Sequence, residues 1–187
     1  MGRFAAMLAL AASLATFAPA LAGADYGPEV GARIPPAFAA VDSKGEARRF
    51  ADIAGPRGVV LAFIRSAKWC PYCHIQLLDL QTIDAALKQR GYTLAVLSYD
   101  DPAVLGAFIQ KEKVSYLMLS DHGSKVIDAW KLRDEQYKPG SFAYGVPHPA
   151  IFVISRRGVI QARLEEEGFK VRPSAAAVLA AVDRFKR

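Results

Sequence analysis

The sequence predicts an α/β domain: a central mixed β-sheet flanked by helices, with a short N-terminal β extension. Three observations carry this. Apolar runs at residues 59–64, 92–99, 116–119 and 150–155 alternate with helical segments, which calls for crossover connections and a mostly parallel sheet. The run Val59-Val-Leu-Ala-Phe-Ile64 is apolar without a break, the pattern of a strand buried on both faces. Residues 150–155 and 159–164 are joined by the tight turn Arg157-Gly158, so this closing hairpin is antiparallel and the sheet is mixed.

The elements follow in order. Residues 25–36 are rich in Gly and Pro and form an irregular lead-in. Residues 38–41 read as a short strand, Asp42-Ser-Lys-Gly45 as its turn, and residues 48–50 as the returning strand. Pro56-Arg-Gly58 punctuates the chain before the first buried strand. Residues 71–90 read as one helix, opened by Pro71 at its first position and closed by Gly91. After the strand at 92–99, Asp101-Pro102 opens a helix to Lys111. A third short strand at 116–119 and a helix at 122–130 follow. Residues 133–145 are polar and turn-rich and receive no assignment. Residues 173–186 form an Ala-rich C-terminal helix. No internal repeat and no second domain is visible, so the folded domain is expected to span residues 23–187.

Composition excludes several classes. Of 187 residues 52% are hydrophobic, enough for a sizeable core and against disorder. The net charge of +6 comes from scattered Lys and Arg, with no basic stripe interleaved with aromatics, so nucleic-acid binding is not expected. Two cysteines are too few for a disulfide-stapled mini-domain or a four-cysteine zinc site. There is no Asn, hence no N-glycosylation sequon.

Residues 1–22 read as an export signal. A positive start at Met1-Gly-Arg3 precedes an uncharged Ala/Leu-rich run, and Ala18-Pro-Ala-Leu-Ala22 offers small residues at signal-peptidase spacing. Cleavage is expected after Ala22, with Ala20 and Ala24 as neighbouring alternatives. The apolar run is short for a membrane span, and stable membrane insertion is not expected; an uncleaved anchoring helix is the competing reading. The expected location is the periplasm or the exterior, where paired thiols are read as a disulfide or a redox couple.

The chemistry-bearing motif is Cys70-Pro-Tyr-Cys73, set between the first buried strand and a helix. Cys70 falls at the N-cap and Pro71 at the first helical position, where its missing N–H costs nothing. Three residues of separation bring the two Cα atoms to about 5–6 Å, within disulfide range. Cys73, Leu77, Leu80, Ile83 and Leu87 share one helical face, expected to meet the sheet, so Cys73 is expected to be shielded and Cys70 open. A thiolate at a helix N-terminus is stabilised by free N–H groups and the helix dipole. Cys70 is therefore expected to attack a disulfide and Cys73 to resolve it. A static staple is the competing reading, but a four-residue loop closes little chain; a metal half-site would need two more ligands. No cofactor and no metal is called for.

Residues 29–187 resemble the redoxin branch of the thioredoxin superfamily, the AhpC/TSA peroxiredoxin-like proteins. The likeness rests on Gly31-Ala-Arg-Ile-Pro-Pro-Ala-Phe38, Phe63-Ile-Arg-Ser-Ala-Lys-Trp-Cys-Pro-Tyr-Cys73, Leu119-Ser-Asp121 and Val146-Pro-His-Pro-Ala-Ile-Phe-Val-Ile154. The resemblance implies a thioredoxin-like fold and a cis-proline before the strand that faces the dithiol. Pro149 matches that place, with Pro147 as rival, and its neighbouring backbone is expected to be a free edge for a substrate strand. Trp69, Tyr72 and His148 are expected to help position substrate beside Cys70; Trp130 is expected in the core. His74 is expected to face solvent and His122 to start a helix.

Two departures stand out. Peroxidatic redoxins resemble Pro-x-x-x-Thr-x-x-Cys; here Ser66 and Cys70 stand at the Pro and Thr places, and Cys73 aligns with the peroxidatic cysteine. Thioredoxins proper resemble a pattern with a buried Asp six residues before the first Cys; here that residue is Ile64, which leaves water, Lys68 or another group to move protons. The leading reading is an exported thiol–disulfide oxidoreductase acting on protein or small-molecule thiols and disulfides with a redox partner protein. The alternatives are a thiol-dependent peroxidase, with peroxide as substrate, and a non-enzymatic copper-delivery protein using Cys70, Cys73 and His148.

Overall fold

The computed structural model describes residues 26–185. The expected signal segment, residues 1–22, lies outside the described residues. One seven-stranded sheet organises the chain, in the order β2-β1-β5-β4-β3-β6-β7. The strands are β1 (Ala39–Asp42), β2 (Ala47–Arg49), β3 (Gly58–Phe63), β4 (Tyr92–Ser98), β5 (Leu117–Ser120), β6 (Ala150–Ser155) and β7 (Ile160–Leu164). The helices are α1 (Phe50–Ile53), α2 (Pro71–Gln81), α3 (Asp84–Gln89), α4 (Pro102–Glu112), α5 (Lys125–Ala129) and α6 (Ala175–Asp183).

The sheet is mixed, but less parallel than alternation of elements suggests. Only β3·β4 and β4·β5 are parallel. β6 returns antiparallel against β3, with Phe63 opposite Ala150, because the segment after α5 reverses the chain without a crossover helix. β1 likewise joins β5 antiparallel.

β3 explains the two-layered core. Its side chains alternate, so Val60 and Ala62 point to one face and Val59, Leu61 and Phe63 to the other. The first face packs on Leu77, Leu80, Leu87, Leu105 and Val178, from α2, α3, α4 and α6. The second packs on Ile53, Val126, Ile127 and Trp130, so Trp130 is core as expected. Gly58 opens β3 at φ +151°, where any Cβ would strike the Ile154 carbonyl across the β3·β6 pair.

The expected single helix at 71–90 is two. Thr82 turns back on Asp79, both its N–H and its hydroxyl going to the Asp79 carbonyl, and Ile83 then starts α3. A threonine hydroxyl that bonds the preceding turn offers the backbone an alternative to continuing the helix. The apolar face survives the break: Ile83 and Leu87 remain buried with Leu77 and Leu80. The short α1 was not expected; it is held by the Arg49 N–H donating to Asp52. His122 lies in the turn before α5, whose first amides, Val126 and Ile127, donate to the Asp121 carboxylate.

Candidate active site

Cys70 is the N-cap of α2 and Pro71 its first residue, as the motif predicts. Cys70 and Cys73 form a disulfide with Cα atoms 5.2 Å apart. The Cys70 Sγ also accepts the Cys73 N–H at 3.2 Å, an amide of the helix start that it shares with the Cys70 carbonyl. The expected asymmetry in exposure is absent: Cys70 is 2% exposed and Cys73 is fully buried. Both belong to the apolar cluster over which Trp69 and Tyr72 pack, so the helix start is roofed by aromatic rings rather than open to water.

The loop that delivers Cys70 is tied down by polar groups. Asp100, just after β4, accepts from the Ser66 hydroxyl at 2.8 Å, the Ala67 N–H at 2.7 Å and the Ser98 hydroxyl at 2.9 Å. Ser66 in turn accepts from the Lys68 and Trp69 N–H groups. The residue at the redoxin proline place thus fixes the loop through hydrogen bonds instead of a ring. Burial pushes the Asp100 carboxyl up, against those three donors. Ile64 is wholly buried among apolar side chains, so no carboxylate stands there. Lys68 is exposed and lines a cavity of about 560 Å³ with Trp69, Tyr99, Asp100 and Phe142.

Arg172, at the disulfide, and Arg65, over the neighbouring Trp69 ring, have no ion-pair partner among the described residues. Arg172, just ahead of α6, places Nη2 at 4.0 Å from the Cys73 Sγ, and its Nε is buried without a partner. Burial first, then the charge of Arg65, pulls its pKa down to about 10, so it remains a cation at neutral pH. Arg65 is 2% exposed. Its guanidinium sits over Phe169 at 4.3 Å, Tyr137 at 5.0 Å and Trp69 at 5.3 Å, and it donates to the Tyr137 hydroxyl. Trp69 donates from Nε1 to the Tyr99 hydroxyl at 3.0 Å and meets Phe142 edge-on; Tyr72 meets Phe169 edge-on.

Sequence reasoning missed Arg65, Asp100, Tyr137, Phe142, Phe169 and Arg172. Arg65 carried a signal, a charge directly after a strand buried on both faces. Three aromatics in the otherwise polar segment 133–145 carried another.

The expectations for the later loop need correction. Among the described residues no peptide bond is cis, so Pro149 follows a trans bond. The backbone beside it is not a free edge. His148 N–H donates to the Leu132 carbonyl at 2.6 Å, Asp134 N–H donates to Val146, and Arg133 bridges Pro147. This extended pairing feeds the chain straight into β6 and takes up the His148 N–H, the donor nearest Pro149. His148 does not serve the dithiol: its ring stacks on Tyr26 at 4.0 Å and its Nε2 lies 3.1 Å from Glu135. Its neighbours in ligating distance are Asp134 and Glu135, so Cys70, Cys73 and His148 are not brought together for a copper ion. His74 is half-buried, with Nε2 at 2.5 Å from the Ala67 carbonyl and its ring against Phe108. No helix among the described residues is long and apolar enough to cross a membrane.

The model of the AhpC/TSA family matches residues 30–163. Among curated proteins, Peroxiredoxin Bcp of Escherichia coli strain K12 is 29% identical over 128 residues, 68% of this chain and 80% of that protein. Among solved structures, Peroxidoxin BcpB from Mycobacterium tuberculosis superposes with a TM-score of 0.69 at 19% identity, covering 87% of this chain and 98% of that one. Xanthomonas campestris Peroxiredoxin Q gives 0.67 at 21% identity, covering 81% and 92%. At these identities the structures establish the thioredoxin-like peroxiredoxin fold.

Proposed function

Because the chain belongs to the AhpC/TSA family, whose members are thiol-dependent oxidoreductases, we propose that it is a thiol peroxidase in which Cys73 attacks peroxide and Cys70 resolves. The observation that carries this reading is the Arg172 guanidinium 4.0 Å from the Cys73 Sγ, a cation placed to hold that sulfur as thiolate. The Cys73 thiolate attacks the O–O bond of a hydroperoxide, giving Cys73 sulfenic acid and an alkoxide that leaves as the alcohol after taking a proton. Cys70 thiol then condenses with the sulfenic acid, releasing water and forming the Cys70–Cys73 disulfide. An external dithiol, or two thiols, supplies two electrons and two protons to restore the pair. Adjacent placement at one helix turn lets the second step proceed without unfolding α2.

The test is rapid-mixing peroxide consumption by the reduced protein. Cys73→Ser is expected to abolish the fast reaction, while Cys70→Ser reacts once and stops as a trappable sulfenic acid. Full peroxide reactivity in Cys73→Ser would overturn the assignment.

A second reading, disulfide exchange with Cys70 as nucleophile, is favoured by one feature: the Cys70 Sγ is the N-cap group of α2 and accepts the Cys73 N–H. Loss of insulin-type disulfide reduction in Cys70→Ser, with peroxide turnover absent from the wild type, would establish it instead. We also infer that residues 1–22 export the protein to the periplasm or exterior, supported by their charge and small-residue pattern. Fractionation followed by N-terminal sequencing checks this; a cytosolic protein beginning at Met1 would refute it.

A further inference from the structure

A cavity of about 310 Å³ is lined by Tyr72, Ile75, Gln76, Asp79, Lys170 and Arg172, and Arg172 links it to the Cys73 sulfur. Its charge is lopsided. Arg172 and Lys170 bring two cations, and Arg65 stands behind Arg172, close enough for its charge to act on Arg172. The carboxylate of Asp79 is already engaged, accepting the Ala175 N–H at 2.7 Å at the start of α6. Arg172 spends Nη1 on the Val171 carbonyl and Nη2 on the Cys73 sulfur, leaving its buried Nε without a partner. A half-buried guanidinium with a buried, unpartnered Nε and no carboxylate is costly, so the molecule maintains positive charge here against its own stability.

The oxidation state says which reactant meets that charge. With the Cys70–Cys73 bond formed, Cys73 is neutral and offers no countercharge to Arg172. The species that meets the protein in this state is the reductant. We propose that the Arg172–Lys170 cavity is a subsite for the carboxylate of a small acidic thiol, which reduces the Cys70–Cys73 disulfide. The inference rests on the reading above that external thiol closes the cycle. With its carboxylate at Arg172 and Lys170, and its carbon body against Ile75, the reductant displaces the Tyr72 ring that covers the sulfurs, and its thiolate attacks the Cys70 Sγ. The S–S bond breaks, a mixed disulfide forms at Cys70, and Cys73 leaves as thiolate beside Arg172. A second thiolate attacks the sulfur of the first reductant molecule. The small disulfide departs, and Cys70 is freed with uptake of a proton. Two electrons are transferred in all; of the two protons the reductant thiols give up on ionising, one ends on Cys70 and one stays in solvent, because Cys73 remains a thiolate.

The experiment compares reduction of the oxidised full-length protein by 3-mercaptopropionate, 2-mercaptoethanol and cysteamine. Reduction is followed directly and rates are corrected for each thiol's own pKa, so that peroxidase activity does not enter. The anionic thiol is expected to be about tenfold faster than the cationic one at low salt, and the advantage to shrink with ionic strength. Lys170→Glu, an exposed position, is expected to cut that ratio severalfold, and acetate at constant ionic strength to slow the anionic thiol selectively. Equal corrected rates for the three thiols, or a ratio unmoved by Lys170→Glu and acetate, would overturn the subsite while leaving the dithiol cycle intact. A disulfide inert to all three thiols would overturn both.

Discussion

Arg172 reaches Cys73 across 99 positions of sequence, its Nη2 4.0 Å from the sulfur. α6 and the segment before it exist, from the site's point of view, to deliver this cation: Ser174 caps α6 through the Ala177 N–H, and Asp79 of α2 takes the Ala175 N–H. A cation beside a thiol favours the charged form, so removing it raises the thiol pKa. Arg172→Ala is therefore expected to slow alkylation of Cys73 at neutral pH by about tenfold, read in a Cys70→Ser background. Arg172→Lys is expected to recover part of that loss. A Cys73 titration unchanged in Arg172→Ala would show that the guanidinium does not act on the sulfur.

Asp100 gives a pH prediction with a definite sign. Burial raises its carboxyl above the ordinary value of 3.8, so the folded protein holds that proton more tightly than the unfolded chain. Its contribution to stability therefore falls as pH rises from 3.8 through the raised value, then levels off. Asp121, buried at the start of α5, acts in the same direction. Glu135, held down by His148, and Asp52, held down by the Arg49 N–H, act oppositely and lose stability as pH falls. Asp100→Asn cannot ionise. The stability of the wild type minus that of the variant is expected to decrease with rising pH across that window in denaturant titrations. A difference that grows with pH would contradict the assignment.

The sheet and the dithiol were legible because both rest on local signals. An unbroken apolar strand, a Pro at the first helical position and a three-residue cysteine spacing each have a physical meaning within a few residues. The corrected features depend on distant partners. Whether β6 runs parallel or antiparallel to β3 is set by the path of residues 131–149, which carry no periodic pattern. The helix break at Thr82 turns on one hydroxyl bond. Cys70 looked open because its own segment holds it at a helix start; Trp69 and Tyr72 close it by packing that no spacing reveals. Arg172 carries no local signal of its role, because its partner Cys73 lies 99 residues away in sequence. Pro149 failed for a related reason: the bridge from Leu132 and Arg133 that straightens its loop comes from a stretch with no strand pattern.

Gly58 tests the close approach of β3 and β6. At φ +151° and facing the Ile154 carbonyl, it leaves no room for a methyl group. Both strands are wholly or largely buried, so the backbone cannot move aside cheaply. Gly58→Ala is expected to cost about 3 kcal/mol or more, or to yield no folded protein. Gly45, at the exposed β1–β2 turn with open space around it, serves as control: Gly45→Ala is expected to cost about 1 kcal/mol from its positive φ alone. Equal losses in chemical denaturation would place the strain elsewhere.

The two tryptophans divide between the two faces of the sheet, which makes one of them a reporter of the dithiol. Trp69 precedes Cys70, carries the Arg65 guanidinium 5.3 Å above its ring and donates to Tyr99. On the proposed chemistry, reduction leaves a thiolate at Cys73, and its charge is expected to act through Arg172 and Arg65 on the environment of this ring. Trp130 lies in the other apolar layer, 4.9 Å from Phe63 and 5.2 Å from Phe152, with the sheet between it and the cysteines. Its surroundings are apolar and do not change charge with oxidation state. The redox-linked change in intrinsic emission is therefore expected to persist in Trp130→Phe and to be largely lost in Trp69→Phe. Trp69→Phe also gives up the bond to Tyr99, for about 1 kcal/mol of stability, so it is compared at temperatures well below unfolding. A redox-linked change that survives in Trp69→Phe and vanishes in Trp130→Phe would mean that reduction rearranges the far face of the sheet rather than the charge around the dithiol.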